Sequence, residues 1–455
     1  MARAYERNLT GIVAVVCLNR ESDDPGVNMR AAGWGRRAAA TAAGALAIML
    51  TLAGCSANGA VTLDVPTQVD AQLPAETVQQ MQDAVTSAMV ATGSSGAIVG
   101  VWAPWSGTWV TGLGTESATD PTPVGVDDGF RVSRVTRAMT CDALYSMVGE
   151  GKLALEDSVT KYVSGVPDLE NITLGQLCDS TSGIGSYKPR LFGMWLANPD
   201  RDWNPRELVS YGLGQPLTGT PGTAFVDSDA GYALLGLALE RAAGMSASDV
   251  LETYVFSRLE LGSTSLPGGT AAPPAVAGSS LLGHHSMAGA DGVMNCTEPL
   301  DITTFSSSTG YTDSGAVSTI ADLGRYSQSL ATGALEPSGI DRLAEPLVIA
   351  GAPSWLTTRG GVIQAASLVG QFGSVPGYMS AAFSDTNTGL TVAVVLNNSG
   401  AADTLGAYLA WELAAIASKA PAAGGQSAPD AGLPWTAQQF HDTIAANAIC
   451  AAPAP

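Results

Sequence analysis

The sequence predicts a large α/β domain, and three observations carry that prediction. Two strand-like runs, residues 97–102 and 108–112, flank a Pro-Trp-Ser-Gly turn. Far along the chain, residues 375–378 and 385–398 look like a closing hairpin. Helical periodicity fills much of the rest, as at Leu144, Met147, Val148 and Leu153. By length alone the 455 residues accommodate two or three domains, and one large α/β domain equally well.

At 46 % hydrophobic and 14 % charged, the chain can bury a large core. Its formal net charge is −20, although the first 54 residues carry six Arg against four acidic residues. A surface this acidic argues against nucleic acid as a partner and against charge-driven adhesion to anionic lipid. Three His and no Cys-x-x-Cys spacing argue against a zinc site, and no cofactor is expected.

Behind Arg36-Arg37 runs an apolar stretch, residues 38–52, that ends in Leu52-Ala53-Gly54-Cys55. A charged flank, an apolar core and small residues before a cut point form the signal-peptide pattern. Leu-Ala-Gly-Cys resembles the lipobox of bacterial lipoproteins. That resemblance implies cleavage before Cys55, lipid on its sulfur, and anchoring to the outer face of the cell membrane. Fifteen apolar residues are too few to span a bilayer comfortably. Met29-Arg30 would be a natural start, so residues 1–28 read as a mis-called start or extension and 29–54 as the signal.

Residues 55–73 are small and polar and read as a tether. The domain is expected over residues 74–418. It opens with a helix at 74–91 whose Val78, Met81, Val85 and Met89 share a face. A central stretch, Phe130-Arg131-Val132-Ser133-Arg134-Val135-Thr136-Arg137, then leads into the periodic run around Leu144. Residues 401–418 close as a helix with Leu405, Leu409, Leu413 and Ile416 facing inward. Residues 267–282 and 419–433 are rich in Gly, Pro, Ala and Ser, reading as loop and linker, with a tail to 455. Cys17 falls in the leader and Cys55 at the lipid, which leaves Cys141, Cys178, Cys296 and Cys450. Four cysteines in an exported chain suggest two disulfides with three possible connectivities; buried free thiols are the alternative.

The stretch from Phe130 with its helix resembles the active-site helix of serine β-lactamases and penicillin-binding proteins of the class C and D-alanyl-D-alanine carboxypeptidase type. Further matches follow in order at residues 150–159, 172–177, 181–184, 221–225, 231–236 and 313–323. The resemblance extends from about residue 75 to 418. It implies an antiparallel β-sheet flanked by helices, formed from both ends of the chain, with a helical region inserted between. It also implies the pairing Cys141–Cys178, and with it Cys296–Cys450.

In the resembled family three motifs converge on one cleft: Ser-x-x-Lys, Tyr-x-Asn, and a Lys or His two residues before Gly. Here those positions hold Arg134 and Arg137, then Asp227-Ser228-Asp229, then Gln371-Phe372-Gly373. A guanidinium has no lone pair for a carbonyl and is not deprotonated in proteins, so Arg134 is no nucleophile and Arg137 no base. Gln371 can hydrogen-bond a carboxylate but lacks the charge. The backbone N–H groups of Arg134 and Ser374 correspond to the family's oxyanion hole. Arg134 and Arg137, three apart on a helix, repel each other. The family's convergence of motifs implies that Asp227 and Asp229 sit opposite them, in a buried cluster of two arginines and two aspartates. A variant of that expectation has Arg134 gripping a ligand carboxylate or phosphate.

Two serines could rescue catalysis. Ser133 is one residue early, which on a helix swings it about 100° from the cleft, and Ser228 lies inside the second motif without an evident oxyanion donor. His284-His285 sits in a Gly/Ser-rich loop and reads as surface decoration. The expected function is a non-catalytic envelope lipoprotein that binds cell-wall fragments or another envelope protein. The alternative is an active serine hydrolase of esters, D-amino-acid peptides or β-lactams with a displaced nucleophile.

Overall fold

The structure, a computed structural model, describes residues 59–166 and 168–450. The expected signal, Cys17 and Cys55 lie outside the described residues. Eight antiparallel strands form the central sheet: β1 (Gly96–Ala103), β2 (Gly107–Gly114), β3 (Leu347–Val348), β4 (Leu356–Arg359), β5 (Val362–Ala365), β6 (Leu368–Val375), β7 (Tyr378–Asp385) and β8 (Thr391–Leu396). Their spatial order is β2-β1-β8-β7-β6-β5-β4-β3. The first hairpin thus pairs with the last strand, Ile98 opposite Val395. After Thr391, strand β8 is an unbroken apolar run because both its faces are covered. Ala393 and Val395 enter one core, while Val392, Val394 and Leu396 enter the other.

Eleven α-helices occur among the described residues. They are α1 (Ala75–Thr92), α2 (Val135–Gly149), α3 (Leu174–Cys178), α4 (Lys188–Ala197), α5 (Pro205–Leu213), α6 (Asp229–Ala243), α7 (Ala247–Leu251), α8 (Tyr311–Ser314), α9 (Ile320–Thr332), α10 (Thr404–Ala417) and α11 (Ala437–Ala446). Helices α1, α10 and α11 cover one face of the sheet, and α2 and α9 pack on the other. Every residue of α2 from Val135 to Met147 is buried, so the helix is surrounded rather than amphipathic. None of these helices is long and apolar enough to cross a membrane.

Cys141 in α2 is bonded to Cys178 at the end of α3, and Cys296 to Cys450 beyond α11. The segment read as a tether lies against the domain: Val61 N–H donates to the Arg258 carbonyl at 2.8 Å, and Leu73 is buried. The tail likewise contains a packed helix. Phe440 of α11 stacks on Tyr408 at 5.4 Å between ring centres, and Trp435 lies 4.8 Å from Trp355. Arg131 is buried and clamps the Gly/Pro-rich loop, donating to the carbonyls of Ala272 at 2.8 Å and Phe305 at 2.6 Å.

Candidate functional site

Three features set the first turn of α2. Phe130 and Arg131 pair antiparallel with Ser318 and Val317, which fixes the line of approach. Ser133 then takes a left-handed φ of 49°, an unusual conformation for a residue with a Cβ. Arg134 follows at the N-cap, and Arg137 comes one turn later on the same face.

Both guanidiniums enter a cluster of carboxylates. Arg134 is paired with Asp403, lies 3.5 Å from Asp227 Oδ2, and has its guanidinium carbon 5.4 Å from the Phe372 ring centre. Arg137 donates from Nε to Asp313 Oδ1 at 2.6 Å, is paired with Asp227, and stacks 4.7 Å over Tyr232. The Asp227 side chain is 45 % exposed, so this end of the cluster is not buried; partial desolvation pushes its carboxyl up, but Arg137 and Arg134 overcome this and hold it at about 2. A Cβ at position 373 would fall 2.7 Å from Arg134 Nε, so Gly373 is what lets β6 lie alongside the arginine.

Several expected residues are elsewhere occupied. No ion pair joins Asp229 to either arginine. Its two oxygens accept the backbone N–H groups of Tyr187 at 2.6 Å and Lys188 at 2.9 Å. Burial and the nearby Asp313 carboxylate raise its pKa to about 7. Gln371 turns into the sheet: Nε2 donates to the Gly361 carbonyl and Oε1 accepts Phe372 N–H, each at 2.9 Å. Ser133 is fully buried, with Oγ 2.6 Å from Ser380 Oγ. Ser228 caps α6, its Oγ accepting Gly231 N–H at 3.0 Å. Ser228→Ala should therefore lower stability by about 1 kcal/mol, read in urea unfolding, as loss of a cap does.

The histidine pair is buried rather than decorative. His284 and His285 bridge antiparallel to Asp301 and Leu300, and are only 5 % and 9 % exposed. His285 Nδ1 is 2.9 Å from Ser399 Oγ, and its ring meets Phe192 edge-on at 5.2 Å. Burial holds both imidazoles below their usual pKa.

Sequence reasoning missed Asp313, Asp403, Lys188 and Ser399. Asp403 stands at the N-cap of α10, yet its side chain makes no capping hydrogen bond and is engaged by Arg134. Lys188 sits beside Pro189 at a helix start and looks solvated in sequence. Its Nζ instead donates to the Ser374 carbonyl at 2.6 Å, while burial and Arg134 depress its pKa.

The arginine–carboxylate bridge divides the cleft into two cavities that share Arg134, Arg137, Asp227 and Asp403. One, of about 550 Å³, is polar at Lys188, His285 and Ser399. The other, of about 320 Å³, is apolar at Phe225, Ile349, Leu356 and Phe372. Among the described residues no group of three or more His, Cys, Asp or Glu is arranged to hold a metal ion.

Comparison with known proteins places this arrangement. Penicillin-binding protein 4* of Bacillus subtilis (strain 168) is 25 % identical over 146 residues, 32 % of either chain. The probable fimbrial assembly protein FimD, serogroup H1, of Dichelobacter nodosus is 29 % identical over 136 residues, 29 % of this chain and 34 % of its own. The chain thus spans about a third of the length of these curated relatives. D-stereospecific amidohydrolase from Streptomyces sp. superposes with a TM-score of 0.62 at 23 % identity, over 70 % of this chain and 94 % of that one. D-amino acid amidase from Ochrobactrum anthropi SV3 does so at 0.61 and 20 % identity, over 72 % and 92 %. At these identities the two structures establish the fold. A family model described as Beta-lactamase matches residues 76–415, a span containing the sheet, α2 and the cleft, and the chain belongs to that family.

Proposed function

We propose that this chain is an exported, lipid-anchored protein of the bacterial cell envelope whose β-lactamase-like cleft binds ligand without hydrolysing it. The observation behind this reading is Arg134 at the nucleophile position, held by Asp403 and Asp227 against Phe372. No lone pair is available there to attack a carbonyl, and Arg137 cannot take up a proton. Open cavities persist on both sides of the bridge, so room for a ligand outlives the family's chemistry. The relatives' names, penicillin-binding protein and D-amino acid amidase, favour peptide-like cell-wall fragments over a protein partner. Export and anchoring rest on the Leu-Ala-Gly-Cys55 pattern.

One contact favours the second reading, a serine hydrolase with a displaced nucleophile. Ser399 and His285, hydroxyl to imidazole, line the polar cavity together. Ser399 Oγ also accepts Gly377 N–H at 2.9 Å, which engages one of its two lone pairs. The test incubates the purified protein with a fluorescent penicillin and a fluorophosphonate and reads intact mass. No adduct is expected. An adduct mapped to Ser399, Ser133 or Ser228 would replace the binding reading with the hydrolase.

A further inference from the structure

Strand β6 pairs with β7 along its whole length, from Leu368 opposite Asp385 to Val375 opposite Tyr378. On its other side β5 reaches only Leu368, Val369 and Gly370. Residues 371–375 therefore have no strand partner on the cleft side among the described residues. A strand edge left this way is a template for another extended segment.

Two side chains cover that edge. Gln371 occupies Phe372 N–H with its own Oε1. Lys188, from the opposite wall of the polar cavity, occupies the Ser374 carbonyl. Among the described residues no carboxylate pairs with Lys188. Asp227, Asp313 and Asp403 are engaged by the arginines, and Asp229 by the backbone N–H groups of Tyr187 and Lys188. A partly buried ammonium thus rests on a strand carbonyl in place of a counter-ion. Desolvation and the like charge of Arg134 disfavour the ammonium there, against the attraction of Asp403 and Asp313.

We propose that Lys188 is a latch on this edge. Its ammonium imitates the N–H of an extended, peptide-like ligand and must leave the Ser374 carbonyl before such a ligand can pair with β6. The inference rests on the ligand-binding reading above and adds what controls entry to the cleft. It runs opposite in sign to an anchoring role, in which the ammonium would hold a ligand carboxylate and its loss would weaken binding.

The test measures fluorescence anisotropy of a fluorescein-labelled, N-acylated D-amino-acid dipeptide and of its N-methylated analogue. Lys188→Met keeps the apolar stem and removes the donor. It should bind the dipeptide about tenfold tighter than wild type, the value of one hydrogen bond no longer competed for. The N-methylated analogue should show no such gain, and Lys188→Arg, which keeps a donor, should stay near wild type. Equal or weaker binding by Lys188→Met overturns the latch and leaves ligand binding standing. Failure of wild type and variants alike to bind either dipeptide overturns both. Should Lys188→Met not fold, Lys188→Gln, with its shorter reach, takes its place under the same criteria.

Discussion

Replacing Arg137 with Ala is expected to cost about 3–5 kcal/mol of stability, the usual consequence of stranding a buried charge. The Arg137 side chain is 5 % exposed and joins Asp313, whose side chain is equally buried, to Asp227. Without it, Asp313 is left facing Asp229 with no cation between two carboxyl groups. Much of the loss belongs to desolvation of the survivor rather than to the pair itself. Arg137→Met combined with Asp313→Leu should therefore recover most of it, since apolar groups of similar volume commonly replace a buried pair without penalty. Urea unfolding followed by tryptophan fluorescence would report both. A single variant within about 1 kcal/mol of wild type would mean that water reaches this cluster and screens it as on a surface.

The second large effect is on pH dependence and comes from Asp229. Its carboxyl is raised from the ordinary value to about 7 by burial and by Asp313, so the folded chain holds this proton more tightly than the unfolded chain does. Stability from this group is full below pH 4 and is lost as pH rises to about 7. At roughly 1.4 kcal/mol per unit, the change is as much as about 4 kcal/mol. Other groups titrate in that window. Glu116, Asp179, Glu336 and Glu412 are also raised by burial, while His284 and His285 are depressed and act in the opposite sense. The measurement is therefore a difference, the unfolding free energy of wild type minus that of Asp229→Asn from pH 4 to pH 7.5. These other groups cancel in it, and the difference should fall as pH rises. A flat difference would show Asp229 ionised throughout. Asp227, held low by its arginines, gives up its contribution only as pH falls from about 4 toward 2, outside this window.

The fold was legible because its signals are periodic or ordered. Strand β8, the faces of α1 and α10, and the succession of motifs around Phe130 all survive in the sequence without chemistry. The positions of Arg134, Arg137 and Asp227 were legible for the same reason. Asp229 was not. A spacing of two places both aspartates on one face only if the backbone is extended. Helix α6 begins at Asp229, with Ser228 as its cap, and the helical turn carries the second carboxylate toward the loop before α4. Asp313 and Asp403 come from distant parts of the chain, and nothing local marks a carboxylate that will meet an arginine 176 or 269 residues away. The burial of His284 and His285 escaped notice because two residues are too few to show a period.

The bond between Cys296 and Cys450 changes what a break in this chain means. Strands β3 to β8 and helices α8 to α11 all lie within the 154-residue span that it closes. Seen as a graph of covalent links, that third of the molecule is a ring with the rest attached as a stem. One severed peptide bond opens the ring and releases nothing, so both new ends stay with the molecule. Two cuts inside the span, or one cut together with reduction, are needed before any of strands β3 to β8 can part from the others.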